Sequence, residues 1–257
     1  MDVKLNCSPC IVFAPHEDDA TLGCGGTILS KRKAGIDVYV VCLTDGRNSH
    51  LFCFGEKEDP SPLELAVQRE NEEKKAMQEL KVNKDNVIFL RFEDTTLFRH
   101  RRQVTQRVAH LIDQIRPSEV FIPYIYDKHP DHIATHMIVR GCLTKLNPSP
   151  SIYQYFVWAV PDSKTRASAI VEDISKELES KKAAIMQYES QITSSLYTAQ
   201  KRPVLTKEFL SRFYKPEEVF LVINTNNLRG LSKLWLSTRL YFASYYFYFI
   251  KHLKHKP

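Results

Sequence analysis

The stretch CIVFAPHEDDATLGCGGTILSKRKAG, residues 10–35, decides the fold. CIVFAP (10–15) is an apolar run of strand length, and LGCGGTILSKRKAG (22–35) has the length of a helix. Between them His16, Glu17, Asp18 and Asp19 stand in a row. A buried strand that passes through a polar turn into a helix is the first half of a βαβ unit. The alternation continues along the chain. DVYVVCL (37–43), NVIFLRF (86–92), EVFIPY (119–124), IYQYFVW (152–158) and VFLVI (219–223) predict further strands. Helices are predicted over 62–81, 104–117 and 132–146, and over 175–191 with Ser175 as a cap. The order predicts an α/β fold with a largely parallel sheet flanked by helices. In the helix over 62–81, Leu65, Arg69, Glu72, Ala76 and Leu80 recur at helical spacing, a stripe that mixes core residues with a charged pair.

The chain has 257 residues, 43% of them hydrophobic, which is enough for a sizeable core and excludes a disordered chain. We expect a single domain over 1–257 with an aromatic-rich helical segment at about 228–253. The first residues lack the basic and apolar regions of an export signal, so a cytoplasmic location is expected. Cys7, Cys10, Cys24, Cys42, Cys53 and Cys142 are widely spread and read as reduced thiols rather than a disulfide framework. The Cys7–Cys10 pair has no companion of zinc-ribbon spacing.

The net charge is +6, with basic clusters at FRHRRQ (98–103) and KHLKHKP (251–257) that suit either an anionic partner or a solvated surface. No nucleic-acid motif accompanies them, and a nucleic-acid binder is excluded on that ground. From Leu240 to Ile250, seven of eleven residues are aromatic and none is charged. That run is too short to span a membrane, which takes about 20 apolar residues. It predicts either a helix packed on the domain or a peripheral membrane contact through 231–257.

Two clusters carry the chemistry. His16, Asp18 and Asp19 follow the first strand, and Asp127, His129, Asp131, His132 and His136 follow the fourth, in YDKHPDHIATH (126–136). Ligands of open α/β sheets bind beyond the carboxyl ends of the strands, where both clusters fall. Two histidines and a carboxylate, with a fourth position for water, make the donor set of many hydrolytic zinc sites. Taken singly the pieces have plainer readings. Asp19 reads as a helix N-cap, and a loop histidine as a surface group. His132 and His136, spaced i, i+4, form a rival chelating pair. Gly23, Gly25 and Gly26 lack the full G-x-G-x-x-G, so no dinucleotide site is expected.

PHEDDATLGCGGTI (15–28) resembles the A-H-P-D-D-E segment of the PIG-L/LmbE-like metal-dependent deacetylases, and HPDH (129–132) resembles their second metal motif. RENEEKKAMQEL (69–80), KKAAIMQYESQ (181–191) and EEVF (217–220) are similar to further family segments. Glu17 stands where the family usually has proline and Ala20 where it has glutamate, which bears on loop shape and on contacts behind the site. The resemblance implies a Rossmann-like, LmbE-like sheet. It implies His16, Asp19 and His132 as metal ligands, Asp18 as general base, and a protonated His129 opposite it, held charged by Asp131. Zn²⁺ is the expected metal, and Fe²⁺ or Co²⁺ suit the same donors.

Arg69 and Asp94, in RFEDTTL (91–97), are implied as substrate contacts, while Arg69 also reads as a salt-bridge partner of Glu72. Arg47 and His50, in TDGRNSH (44–50), lie after the second strand on the same edge. The expected function is a zinc-dependent hydrolase. It removes the N-acetyl group from an N-acetylated amino sugar in a glycan precursor, glycolipid or small glycoconjugate. An amidase acting on a non-sugar or thiol conjugate, and a metal-holding module without turnover, are the alternatives.

Overall fold

In the computed structural model β1 (Cys10–Ala14) is buried along its whole length, and its side chains divide by parity between two cores. Cys10, Val12 and Ala14 face one layer of helices, while Ile11 and Phe13 face the other. A strand covered on both faces reads as a continuous apolar run, which is why residues 10–14 show no polar alternation. The described residues are 8–55, 58–144, 146–194, 196–197, 200 and 202–223. The C-terminal segment about 228–253, its proposed membrane-facing stretch 231–257 and Cys7 lie outside them.

The chain continues through α1 (Asp19–Lys33), β2 (Val38–Thr44), α2 (Ser49–Phe54), α3 (Pro62–Glu79), β3 (Val87–Phe92), α4 (Arg101–Ile115), β4 (Glu119–Pro123) and α5 (Pro130–Leu143). It closes with β5 (Ser151–Tyr155), α6 (Ser163–Ala167), β6 (Ile170–Asp173), α7 (Leu178–Ile185), α8 (Glu189–Ile192), α9 (Lys207–Leu210) and β7 (Glu217–Ile223). The strand order is β3-β2-β1-β4-β5-β7-β6. Strands β1 to β5 pair in parallel, and β7 runs antiparallel to both β5 and β6. Val12 sits opposite Val40 of β2 on one side and Phe121 of β4 on the other. The order reverses between β1 and β4, which opens a crevice at their carboxyl ends.

Residues of α1, α3 and α7 fill the first core, and residues of α4 and α5 fill the second. In α3, Leu65, Arg69, Glu72 and Ala76 are all buried, as is Leu80 at its C-cap, so the stripe read from the sequence is the packed face. A capping box starts that helix: Ser61 Oγ accepts from the Glu64 N–H, and Glu64 Oε2 accepts from the Ser61 N–H. The glycine patch of α1 serves packing. A Cβ on Gly23 would stand 2.3 Å from the Tyr155 ring, and one on Gly26 2.6 Å from the Ile174 side chain.

The short helices α2, α6 and α9 have no counterpart in the sequence reading, and the structure departs from it in four further places. β5 stops at Tyr155 rather than reaching residue 158. β6 was not expected, because all four of its residues are exposed and its place comes from backbone pairing with β7. The helix expected over 175–191 is two pieces. Ser175 does not cap it, since its N–H and hydroxyl both donate to Asp173, and α7 begins at Leu178 after Glu177. The break before α8 lets the Tyr188 hydroxyl reach Glu73 at 2.5 Å and the Ser190 N–H and hydroxyl reach Glu72 at 2.8 and 2.7 Å. Among the described residues no helix is long and apolar enough to cross a membrane. Cys10, Cys24, Cys42, Cys53 and Cys142 are in no disulfide among the described residues.

Candidate active site

The crevice between β1 and β4 is lined by the turn after each strand. In the first turn Asp18, not Asp19, is the N-cap of α1, and its side chain makes no capping bond. Asp19 opens the helix and turns its carboxylate back, where Oδ2 accepts from the His16 N–H at 2.9 Å. The same oxygen lies 3.1 Å from His16 Nδ1 and 3.1 Å from His132 Nε2. Asp19 Oδ2 therefore links a donor atom from each of the two turns, His16 Nδ1 after β1 and His132 Nε2 at the start of α5, and is their point of convergence.

Each imidazole is backed by carboxylate on its other nitrogen. His132 Nδ1 lies 2.6 Å from Asp127 Oδ2, and His16 Nε2 lies 3.4 Å from both Asp94 Oδ1 and Asp131 Oδ2. Such partners fix tautomer and ring orientation in metal-binding histidines. His132 Nε2 is buried and makes no hydrogen bond despite its distance from Asp19. A buried ring nitrogen without a hydrogen bond is costly, and a cation that takes its lone pair removes the cost. The donor set thus fits a divalent metal. The groups of described residues whose ligand atoms all lie within 4.8 Å of one another are His16 with His129 and His132, and His16 with Asp94 and Asp131; Asp19 joins the site through its 3.1 Å distances to His16 and His132. His136 lies apart from these groups, buried with Nδ1 on the Pro123 carbonyl at 2.9 Å.

The electrostatics favour positive charge at the convergence point. Burial pulls His132 down, but Asp19 and Asp127 outweigh it and push the imidazole up to about 9. Burial likewise opposes His16, which Asp131, Asp19 and Asp94 hold well above its ordinary value. Asp19 is raised by burial, yet the two imidazoles hold its carboxyl well below the usual range. Asp94 is raised by burial and lowered more by His16, to about 2. Burial raises Asp18 against the opposing charge of Arg69, and Asp19 adds to the rise.

Arg69 organises the carboxylates that face away from the convergence point. Its Nη2 lies 3.3 Å from Asp18 Oδ1, its Nε 3.2 Å from Glu17 Oε2, and its Nη1 donates to the Gly46 carbonyl at 3.2 Å. Glu72 is not its ion-pair partner, because that carboxylate is taken by Ser190 and Gln68. Glu17, in the place of the usual family proline, is buried and pushed up to about 7 by its burial.

Two other sequence expectations change. His129 Nδ1 accepts from the Asp131 N–H at 3.3 Å, which leaves the proton of the neutral ring on Nε2. Burial and the neighbouring His16 and His132 hold His129 well below its ordinary value, which opposes the charged form expected from the sequence. The Asp131 carboxylate does not hold it charged either. Instead, Asp131 Oδ2 faces His16 and accepts from the Thr95 N–H at 2.6 Å. Thr95 takes φ +67° to make that contact, a costly conformation for a β-branched residue and one that clusters at functional sites.

The substrate-facing set also shifts. Asp94 lies against His16 rather than in open space. His50 is buried, with Nε2 2.9 Å from the Ser190 carbonyl. Arg47 stays half-exposed at the sheet edge and pairs with Asp45. Asp127 carried no assigned role in the sequence. Its signal was an aspartate five residues before a helix-borne histidine, on the loop that bends back to it.

An open α/β sheet with a His₂Asp donor set and an adjacent carboxylate at its switch point has the build of a metal-dependent hydrolase. The comparisons agree. The chain belongs to the PIG-L family, described as GlcNAc-PI de-N-acetylase, whose pattern matches residues 11–143. It is 31% identical over 199 residues to a diacetylchitobiose deacetylase of Thermococcus kodakarensis, covering 73% of this chain and 71% of that protein. It is 26% identical over 196 residues to a probable N-acetyl-alpha-D-glucosaminyl L-malate deacetylase 2 of Bacillus cereus, covering 72% and 84%. The fold is also that of the N,N'-diacetylchitobiose deacetylase of Pyrococcus horikoshii, with a TM-score of 0.66, 24% identity and 88% of each chain covered.

Proposed function

We propose that the chain is a zinc-dependent deacetylase that hydrolyses the N-acetyl group of an N-acetylated amino sugar, releasing acetate and a free amine. One observation carries the reading: Asp19 Oδ2 lies 3.1 Å from both His16 Nδ1 and His132 Nε2, while the adjacent Asp18 is turned to Arg69. Adjacent carboxylates with different neighbours have separate tasks. His16, Asp19 and His132 would hold the metal, and their nitrogen and oxygen donors suit Zn²⁺, with Fe²⁺ and Co²⁺ as rivals. A divalent cation bound there supplies Lewis acidity toward the amide carbonyl and lowers the pKa of water.

Asp18 takes a proton from the attacking water and delivers it to the departing amine nitrogen. Its raised pKa brings it closer to the range in which a base works near neutral pH. Arg69 keeps the carboxylate in place without entering the donor set. His129, neutral with its proton on Nε2, donates a hydrogen bond to the oxyanion that develops on the amide carbonyl. Asp94 and Asp131 orient His16, and Asp127 orients His132. Arg47 is the remaining candidate for a sugar hydroxyl.

The sugar scaffold is supported by the two sugar-amide deacetylases named above. Five cysteines outside any disulfide among the described residues support a reducing compartment, and we place the protein in the cytoplasm on that ground. Membrane contact through 231–257 rests on the sequence alone. The test is acetate release from free N-acetylglucosamine, a nucleotide-linked N-acetylhexosamine, a lipid-linked one and diacetylchitobiose. Release from at least one is expected, and it should stop with chelator and return with Zn²⁺. Release only from a thiol-conjugate amide, or from nothing, would overturn the sugar reading.

A further inference from the structure

The loop after β5 is pinned from two sides. Oδ1 of Asp127 accepts from the Val157 N–H at 3.2 Å and from the Ala159 N–H at 2.6 Å. The carbonyls of the same two residues both accept from Arg212 Nη2, at 2.8 and 3.1 Å. The N–H and carbonyl of a residue flank its Cα, so holding both fixes its φ and ψ. Arg212 is itself held. Its guanidinium lies 4.9 Å from the Phe209 ring centre and 5.4 Å from that of Phe213. Between the two pinned residues, Trp158 packs on Phe209 at 4.8 Å. Arg212 Nη2 serves these two carbonyls, and the carboxylate that acts on its charge is the same Asp127.

We propose that Arg212 is a positioning residue for the metal site, acting through the backbone of 157–159 and Asp127 on His132. Arg212 sets the two N–H groups, those N–H groups set the Asp127 carboxylate, and Asp127 Oδ2 at 2.6 Å from Nδ1 keeps Nε2 of His132 aimed at Asp19. A flat guanidinium suits this place because one nitrogen reaches two carbonyls while the plane rests on aromatic rings. The inference rests on His132 as a metal ligand.

The experiment titrates the demetallated full-length chain with Zn²⁺ against a chromophoric chelator. It compares wild type, Arg212→Met, Arg212→Lys, Asp127→Asn, the Arg212→Met/Asp127→Asn double variant and His132→Ala, with thermal midpoints recorded alongside. Partners behind a metal ligand typically contribute about 10–100-fold in affinity, and a loss in that range is expected for Arg212→Met. The double variant should bind Zn²⁺ no more weakly than Asp127→Asn alone, because both changes cut one path.

Arg212→Lys keeps the charge but loses the flat face, and should bind more weakly than wild type. It carries the test if Arg212→Met does not fold. Unchanged Zn²⁺ affinity with a lower thermal midpoint would reduce Arg212 to local packing and overturn the inference. Losses that multiply in the double variant would also overturn it. If His132→Ala keeps wild-type affinity, the metal reading falls and this inference with it. If His132→Ala loses the metal while the Arg212 variants keep it, this inference alone falls.

Discussion

The turn after β1 holds one histidine and three carboxylates, and the turn after β4 holds two histidines and two carboxylates. The residue types are nearly the same, but their neighbours divide the work differently. In the first turn Arg69 draws Glu17 and Asp18 to one side, so that only Asp19 joins His16 and His132. In the second, Asp127 and Asp131 stand behind imidazoles and neither reaches the convergence point itself. A carboxylate beside a histidine in sequence is therefore placed by what faces its other oxygen, and the three proposed roles, ligand, base and support, follow those neighbours. Asp131 shows this most clearly, since it lies two residues from His129 and yet serves His16 from the opposite turn.

The largest effect that tests this division is loss of the metal. His132→Ala and Asp19→Ala should each purify without it and release no acetate, because one donor of three is gone. Full occupancy in either variant would place the metal elsewhere. Next comes His129→Ala, which should keep its metal. Loss of one oxyanion donor typically costs about 10²–10³-fold in turnover, and metal loss instead would exchange the roles of His129 and His132. Asp127→Asn should be milder, weakening Zn²⁺ by about 10–100-fold while leaving the fold intact.

The smallest effect concerns His136, which shares a helix with His132 but not its task. Its folded pKa is pushed down to about 4 by burial, from the ordinary histidine value of 6.5. Between those values the unfolded chain binds the proton and the folded chain does not. The stability that His136 contributes is thus complete above pH 6.5 and is lost as pH falls toward 4. His136→Asn should show a shallower fall in urea midpoint between pH 7 and pH 4.5, with turnover at neutral pH unchanged. An equal fall in both proteins would remove His136 as a source of acid sensitivity.

The parallel strands were legible because strands buried on both faces leave uninterrupted apolar runs, as in residues 10–14 and 38–44. That the two clusters share one crevice was legible from position, since both turns follow strands on one sheet edge, whereas the choice of His16, Asp19 and His132 within them came from the family resemblance. What sequence could not show was direction. Nothing in HEDD says which aspartate turns toward Arg69, a choice made by a helix some fifty residues away. Nothing in IYQYFVW says that the strand must stop at Tyr155, because the reason is the Asp127 carboxylate that receives the next N–H groups. β6 was invisible for a related reason: its side chains are exposed and its backbone pairing leaves no trace in composition.

The division between Asp18 and Asp19 is the centre of the account, and one preparation tests it. Asp18→Asn should be assayed for bound metal and for acetate release on the same sample. A general base contributes about 10²–10⁴-fold, so the variant should carry wild-type metal and hydrolyse more slowly by that factor. Near-normal release would remove Asp18 as the base, and loss of the metal would mean that both aspartates are ligands.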